Sequence, residues 1–383
     1  MELIKGKRIC IFSAQYLPHM GGVEQYTYNL AKALAKMGNQ VTVVTSNVMN
    51  SEEYENTDGI SVYRLPCFNL MEGRFPVLKV NKNMIKIHRL LMRFKFDFVM
   101  VNTRFYIHSL YGVIFAKMQK VKCIIVDHGT SHLNLHNPIL NFVENIYEHS
   151  ITKMEQLFCN EFYGVSMASV EWLRHFHIYA KGALYNAVDM DKINQIKKGK
   201  LRDFRKEFNV PDDAVMICFT GRLIKEKGIY QLIKSVDRLN SNNKKYYLFI
   251  AGDGEEYQQI LSQKSEEVVL LGRISTEEVI GLLVQSDIFC LPSDSEGFSS
   301  SVLEATACKC CVITTERGGS KELIVDKNHG IIIPNNKVEH VMTALEMASE
   351  NQDYRNSVAE AAYDRLIHNY TWDIVAQRVY ELI

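Results

Sequence analysis

The segment "SDSEGFSSSVLEATACKC" (293–310) sets Glu296 and Glu304 on either side of a glycine and a serine run. The spacing of Val302, Leu303, Ala305, Thr306 and Ala307 predicts a helix from about Ser300, so Glu296 precedes it and Glu304 lies one turn inside. The amides of Gly297, Phe298, Ser299 and Ser300 then stand at a helix N-terminus, where unsatisfied N–H groups and the helix dipole favour a phosphate. Carboxylates accept hydrogen bonds from vicinal sugar hydroxyls, so one glutamate suits a ribose and the other a hexose. Together these are parts of a nucleotide-sugar site. A carboxylate pair also serves glycoside hydrolysis, but that chemistry needs a defined separation across a sugar, and the phosphate-binding features around this pair argue against it.

Other candidate groups fall after short apolar runs. "VMICFTGRLIKEKG" places Arg222 and Lys227 in one loop bracketed by Gly221 and Gly228. Two cations in a flexible strand-end loop suit a diphosphate, whose oxygens need donors from several sides; a solvated basic loop is the plainer alternative. "AGDG" (251–254) and "LGRI" (271–274) are turns, the second carrying Arg273 and Ile274 ahead of a Ser275/Glu278 capping box. "SAQYLPHMGGVEQ" brings Gly21 and Gly22 to the start of an amphipathic helix that Gly38 closes, a place where backbone can approach a ligand. There is no GxGxxG, which counts against a dinucleotide enzyme. "DHGTSH" puts Asp127, His128 and His132 at a strand end, where a histidine either bonds a substrate hydroxyl or caps the next segment. "DSE" (294–296) and "DMD" (189–191) only superficially imitate a metal-binding DxD, and the Cys308, Cys310, Cys311 cluster lacks the spacing of a zinc site.

The elements that must position these residues read as alternating strands and helices. "RICIF", "VTVVT", "FDFVMV" and "KCIIV" form one strand series, and "VMICF", "YYLFIA", "VVLLG", "DIFCL", "CVITT" and "GIIIP" form another. That alternation predicts an α/β chain with parallel sheets, and its restart after a lysine-rich stretch (186–213) predicts two Rossmann-like domains. A length of 383 residues suits two domains, and 47% apolar with 23% charged residues is ordinary for a folded protein. Basic and acidic residues balance at 44 each, giving no reason to expect a nucleic-acid partner. The first twenty residues hold an apolar run too short to span a membrane and no small-residue cleavage site, so they read as the approach to a first strand. Nine cysteines without disulfide spacing fit a reducing cytoplasm.

With these residues assembled, almost the whole chain resembles family 4 of the retaining glycosyltransferases, also called group 1. "PHMGGVEQYTYNLAKALAKMGNQVTVVTS" is similar to that family's N-terminal glycine loop and helix, "YNAVD" to its interdomain asparagine segment, and "GRLIKEKG" to its diphosphate-binding Arg and Lys. "AGDG" and "LGRI" resemble its nucleotide-base region, "EGFSSSVLEA" its paired-glutamate signature, and "YTWDIVAQRVYELI" its closing segment. The resemblance implies a GT-B fold: two Rossmann-like domains facing a central cleft, with a C-terminal helix crossing back to the first. The expected division is 1–188 for the acceptor, 189–368 for the nucleotide-sugar, and 369–383 for the returning helix.

It further implies that Arg222 and Lys227 bind the donor diphosphate, Glu304 holds the ribose, and Glu296 faces the transferred sugar. Gly297, Phe298, Ser299, Ser300, Gly221, Arg273, Ile274 and Asn186 would complete the donor site, His128 would be the cleft histidine, and Gly21 and Gly22 the loop near phosphate and acceptor. Ala187, where glycine is frequent, and Ser299 to Ser301, where the family has bulkier apolar residues, depart from the pattern and affect the sugar pocket. The implied reaction is metal- and cofactor-free retaining transfer of a hexose or N-acetylhexosamine, from a UDP-sugar ahead of GDP-mannose, in cell-surface polysaccharide or glycolipid synthesis. A sugar-nucleotide epimerase of the same fold and a catalytically silent nucleotide-sugar-binding module are the alternatives. Finally, Lys79, Lys82, Lys86, Arg89 and Arg93 predict a basic helical stripe with Leu78, Ile85 and Met92 as apolar contacts. It is either a solvated face or a patch resting on an anionic membrane next to a lipid-linked acceptor.

Overall fold

The computed structural model describes residues 6–19, 21–70, 73, 75–132, 137–242 and 245–383; residues 1–5 and Met20, part of the N-terminal readings above, lie outside them. The chain divides into two compact units, Met1–Asn186 with Trp372–Ile383, and Ala187–Thr371.

In the first unit the strands are β1 (Arg8–Ser13), β2 (Gln40–Ser46), β3 (Tyr54–Thr57), β4 (Ile60–Leu65), β5 (Cys67–Leu70), β6 (Phe75–Leu78), β7 (Phe98–Asn102), β8 (Lys122–Asp127) and β9 (Phe162–Gly164). Seven of them form one sheet in the order β3-β4-β2-β1-β7-β8-β9, while β5 and β6 make a separate antiparallel hairpin. Only β3 runs antiparallel to its neighbour in that sheet. Ile9, Ile11, Phe12, Val99 and Val101 have no exposed surface, because a parallel sheet covered on both faces needs continuous apolar runs. Its helices are α1 (Gly22–Lys36), α2 (Lys82–Arg93), α3 (Ile107–Gln119), α4 (Pro138–Gln156) and α5 (Met167–Leu173).

The second unit carries β10 (Val215–Thr220), β11 (Tyr246–Ala251), β12 (Val268–Gly272), β13 (Ile288–Leu291), β14 (Cys311–Thr315) and β15 (Ile331–Ile333), all parallel, in the order β12-β11-β10-β13-β14-β15. This is the 3-2-1-4-5-6 order of a Rossmann sheet, whose ligand crevice lies beyond the carboxyl ends of the two central strands, where the order reverses. Here those strands are β10 and β13. The helices are α6 (Met190–Lys198), α7 (Phe204–Glu207), α8 (Ile229–Asn240), α9 (Tyr257–Gln263), α10 (Thr276–Gln285), α11 (Ser300–Ala307), α12 (Ser320–Leu323), α13 (Val338–Glu350) and α14 (Gln352–Asn369). The chain then returns to the first unit as α15 (Trp372–Tyr380). There Trp372 meets Tyr26 of α1 edge-on, at 5.2 Å between ring centroids.

The basic stripe differs from its sequence reading. Helix α2 begins at Lys82 after an Asn81 cap, so Lys79 precedes it and lies over the Phe68 ring, and Leu78 ends β6. Asn81, which accepts a hydrogen bond from Met84 N, is a stronger start signal than the charge spacing that runs through it. Lys82, Lys86, Arg89 and Arg93 are exposed on α2 with Ile85 among them, while Ile87 and Leu91 do the packing.

Helix α4 is turned inside out. It buries Glu144, Glu148, Thr152 and Glu155 and exposes Ile139, Leu140, Phe142, Val143 and Ile146. The inward acids gather round Arg104, itself 1% exposed. Arg104 Nη2 lies 2.7 Å from Glu148, its Nε 3.4 Å from Asp127, and its Nη1 donates to Thr152 Oγ1. Burial nevertheless raises the pKa of Glu155 and of Asp127. A buried charge left without its partner costs about 3–5 kcal/mol. Arg104→Met is therefore expected to destabilise the protein by that order, read as a lowered midpoint of denaturant unfolding; an unchanged midpoint would refute the role of Arg104 as the counterion.

Candidate active site

The loops after β10 and β13, together with helix α11, hold most of the sequence-predicted site residues, and the structure ties the two loops together. Gly228 adopts φ +70°, and a Cβ there would stand 2.1 Å from the Pro292 carbonyl oxygen, so only glycine lets the two loops approach. Asp294 N donates to Glu226 O at 2.7 Å, and Ser293 Oγ donates to the same oxygen. Across this seam Lys227 Nζ lies 2.5 Å from Glu296 Oε1, with side chains 21% and 9% exposed. Arg222, in the same loop, is exposed and has no ion-pair partner among the described residues.

Neighbouring loops are laced on by glycines. Gly221 N donates to Ala251 O, Leu223 N to Asp253 O, and Gly252 N to Gly272 O. At Gly252 (φ +153°) a Cβ would fall 1.8 Å from Gly221 O. The "AGDG" turn is thus a seam against the loop that holds Arg222. "LGRI" leaves Arg273 exposed and Ile274 half-buried, and the Ser275/Glu278 capping box forms.

Helix α11 starts at Ser300 with Ser299 as an N-cap that makes no side-chain capping bond. Phe298 is buried, edge-on to Tyr370 at 5.2 Å, and Gly297 O accepts from Gly319 N at 2.7 Å. These contacts fix the approach to the helix. Glu304 is half-buried, and its carboxylate has no hydrogen-bond partner among the described residues. Burial pushes its pKa up to about 7 against the opposing charge of Lys192 on α6. Sequence reading missed Lys192, which a distant segment supplies. The two DxD-like stretches are structural: Asp189 caps α6 and Asp294 accepts from Asn336. Cys308, Cys310 and Cys311 are buried free thiols, with burial pushing Cys308 and Cys311 up to about 12.

Gly21, Gly22, His128 and Asn186 belong to the first unit. Gly21 is the N-cap of α1, and a Cβ there would meet the Glu24 carboxylate at 2.4 Å, whereas nothing lies within 4 Å of one at Gly22. Glu24 is buried and 2.8 Å from His19 Nδ1, so this helix start already carries an acid. His128 follows β8. Its Nε2 is buried without a hydrogen-bond partner among the described residues, and desolvation lowers its pKa to about 3, leaving it neutral. Tyr26, unremarked in the sequence, joins these pieces: its ring meets His128 edge-on at 4.7 Å and its hydroxyl donates to Leu184 O, two residues before the buried Asn186.

The comparisons with known proteins agree with this architecture. Residues 20–192 match the Glycosyltransferase Family 4 model and residues 201–365 the model for Glycosyl transferases group 1. An uncharacterized glycosyltransferase of Methanocaldococcus jannaschii is 27% identical over 380 residues, 95% of each chain. The phosphatidylinositol N-acetylglucosaminyltransferase GPI3 subunit of Saccharomyces cerevisiae is 23% identical, covering 98% of this chain and 82% of its own. Among solved structures, Anabaena HepE in complex with UDP-glucose superposes with a TM-score of 0.73 at 17% identity, covering 98% of this chain and 99% of that one.

Proposed function

We propose, from the premise that this chain belongs to the family 4, group 1 glycosyltransferases, that it moves a hexose or N-acetylhexosamine from a nucleoside-diphosphate sugar to a glycan or lipid-linked acceptor, with retention at the anomeric carbon. The observation that carries this reading is the Lys227–Glu296 pair, set between the loops after β10 and β13, with Arg222, which has no ion-pair partner among the described residues, in the same loop as Lys227. A cation that neutralises a diphosphate and a carboxylate that receives sugar hydroxyls then stand side by side, as the two halves of such a donor require.

In the reaction the bond from the anomeric carbon to the phosphate oxygen breaks and a bond to the acceptor oxygen forms on the same face. The acceptor proton passes to the departing phosphate oxygen, and the nucleoside diphosphate leaves. Arg222, Lys227 and the first-turn amides of α11 oppose the growing phosphate charge, so they stabilise the transition state more than the bound donor. No metal or cofactor is assigned to this step. Glu296 positions the sugar, Glu304 holds the ribose, and Gly221, Arg273 and Ile274 line the nucleotide. His128, being neutral, offers a hydroxyl a hydrogen bond without attracting phosphate. The acid at the start of α1 makes Gly21 and Gly22 better suited to acceptor hydroxyls than to an anion. The UDP-glucose held by HepE favours a uridine donor over GDP-mannose.

Glu296→Ala is expected to lower kcat about 10²–10³-fold with little change in unfolding temperature, and NMR of the wild-type product to show the donor's anomeric configuration. Inversion would defeat the retaining mechanism; donor binding with no transfer to any acceptor would favour the silent-module alternative, and donor isomerisation without an acceptor the epimerase. Glu304 gives a pH signature. Its carboxylate is ionised above its pKa of about 7 and gains a proton as pH falls, losing the acceptor capacity that two ribose hydroxyls need. Calorimetric titration with UDP should therefore show weaker binding from about pH 8 to about pH 6. Glu304→Gln should bind about tenfold more weakly at the upper pH, with that dependence flattened; an unaltered pH profile in the variant would remove Glu304 from the ribose.

For the acceptor side, the outward face of α4 and the basic stripe of α2 support a peripheral position on the inner, cytoplasmic face of an anionic membrane. No helix among the described residues is long and apolar enough to cross one. Phe142, Val143 and Ile146 would enter the interface while Lys82, Lys86, Arg89 and Arg93 meet lipid phosphates, each worth about 1 kcal/mol. The GPI3 relative is named for a phosphatidylinositol acceptor, consistent with a lipid-linked substrate. Co-sedimentation with phosphatidylserine-containing vesicles is expected, weakened by salt and by Lys86→Glu with Arg89→Glu, and weakened independently of salt by Phe142→Ser with Ile146→Ser. Sedimentation indifferent to both pairs would remove the proposal.

A further inference from the structure

Three imidazoles converge on one point of the first unit. His132 follows β8, His149 lies on α4, and His175 sits in the 3-10 turn Arg174–Phe176; each brings a ring nitrogen within 4.8 Å of the other two. The Nε2 atoms of His132 and His175 are 3.1 Å apart. Zinc–nitrogen bonds of about 2.0–2.1 Å in a tetrahedron place neighbouring ligands roughly 3.3 Å apart, so the spacing already matches that of two ligands on one ion.

The surroundings resemble the support of a metal-binding histidine. His132 Nδ1 bonds the Glu148 carboxylate, whose other oxygen meets Arg104 at 2.7 Å. A carboxylate on the far nitrogen fixes the Nδ1–H tautomer and turns the Nε2 lone pair towards the other rings, which is the usual outer partner of a ligating imidazole. The rings are held as well as oriented: Trp172 stacks on His175 at 4.9 Å and 7°, and Phe176 lies 4.7–5.8 Å from all three. A simple histidine–histidine hydrogen bond would need two rings and leave the convergence of His149 without a reason. A second observation points to a cation: Glu144, 8% exposed, has both carboxylate oxygens buried without a hydrogen-bond partner among the described residues, burial and then the neighbouring Glu148 push its pKa up to about 7, and it forms a donor group with His132 and Glu148 within the same 4.8 Å limit.

We propose that His132, His149 and His175 bind one borderline-class transition-metal dication, zinc foremost, with water completing the tetrahedron and the Glu144 and Glu148 carboxylates offsetting its charge. The ion braces the segment after β8 through Glu148, Arg104 and Asp127, the residue before His128. The inference stands or falls separately from the transfer reaction. The sequence gives no conventional motif for it, because the three ligands come from a loop, a helix and a short turn.

The test is a titration of chelator-stripped, full-length protein with cobalt chloride and then zinc chloride. One cobalt per chain is expected, with the visible band of tetrahedral cobalt, displaced by zinc; zinc should also raise the unfolding temperature. His149→Ala and His175→Ala alter exposed side chains and should keep the far-ultraviolet circular dichroism while weakening cobalt binding at least tenfold. Glu148→Gln should weaken it about 10–100-fold. Wild-type protein that binds no cobalt, or binding unchanged in the His149→Ala, His175→Ala double variant, would overturn the proposal.

Discussion

The ion pair between Lys227 and Glu296 depends on backbone proximity that side chains alone could not supply. The lysine ends a 3-10 turn and the glutamate follows β13, and they meet because Gly228 lets the Pro292 carbonyl pass where any Cβ would stand. On the far side Gly318, at φ +59°, would put a Cβ 2.5 Å from the Glu296 carbonyl, and one at Gly319 would strike the Phe298 ring. Both flanks of Glu296 are therefore set by glycines. On the proposed function the consequence for chemistry is preorganisation: the lysine is already oriented and partly desolvated by its glutamate, so an arriving phosphate would not need to collect it from solvent. The carboxylate in turn is steered by a cation that a diphosphate would share, which couples sugar placement to phosphate placement.

Much of this is legible in the sequence through the rules of parallel-sheet packing. Fully buried parallel strands must be continuous apolar runs, and each of the ten runs read from the sequence is a strand. Shorter or less apolar strands escaped: β3 is "YENT", β9 has three residues, and β4, "ISVYRL", is broken by a serine and an arginine. The Glu296 and Glu304 region was readable because local signals coincide there, a strand end, a glycine, a serine run and a helix pattern within one short segment. What was not readable lies far apart along the chain. Lys192 reaches the environment of Glu304 from α6, Tyr26 joins α1 to His128, and Arg104 is matched to acids on α4. Arg104 did carry a signal, since it follows β7, which with β1 marks the reversal point of the first sheet, the position at which the loop rule applies.

Helix α4 shows how a local pattern can mislead about which face is buried. Amphipathicity gives the width of an apolar stripe, and the ordinary inference turns that stripe inward. Here the inward positions are taken by carboxylates, because Arg104 needs counterions that α4 is placed to provide. Once Glu148 and Thr152 face Arg104, the helical period fixes the rest, and Phe142, Val143 and Ile146 must point away from the core. The exposed apolar face is thus the geometric complement of a buried charge cluster. Large exposed apolar patches generally mark a binding surface, and the neighbouring hairpin extends this one: Phe75 of β6 packs against Tyr147 of α4 at 5.3 Å, while Phe68 and Leu70 of β5 stay exposed. Lys79 and then α2 follow directly from that hairpin, so apolar and basic surface are joined along a single stretch of chain. On the proposed membrane position, hydrocarbon would receive the aromatic and aliphatic groups and lipid phosphate the lysines and arginines, in that order along the chain.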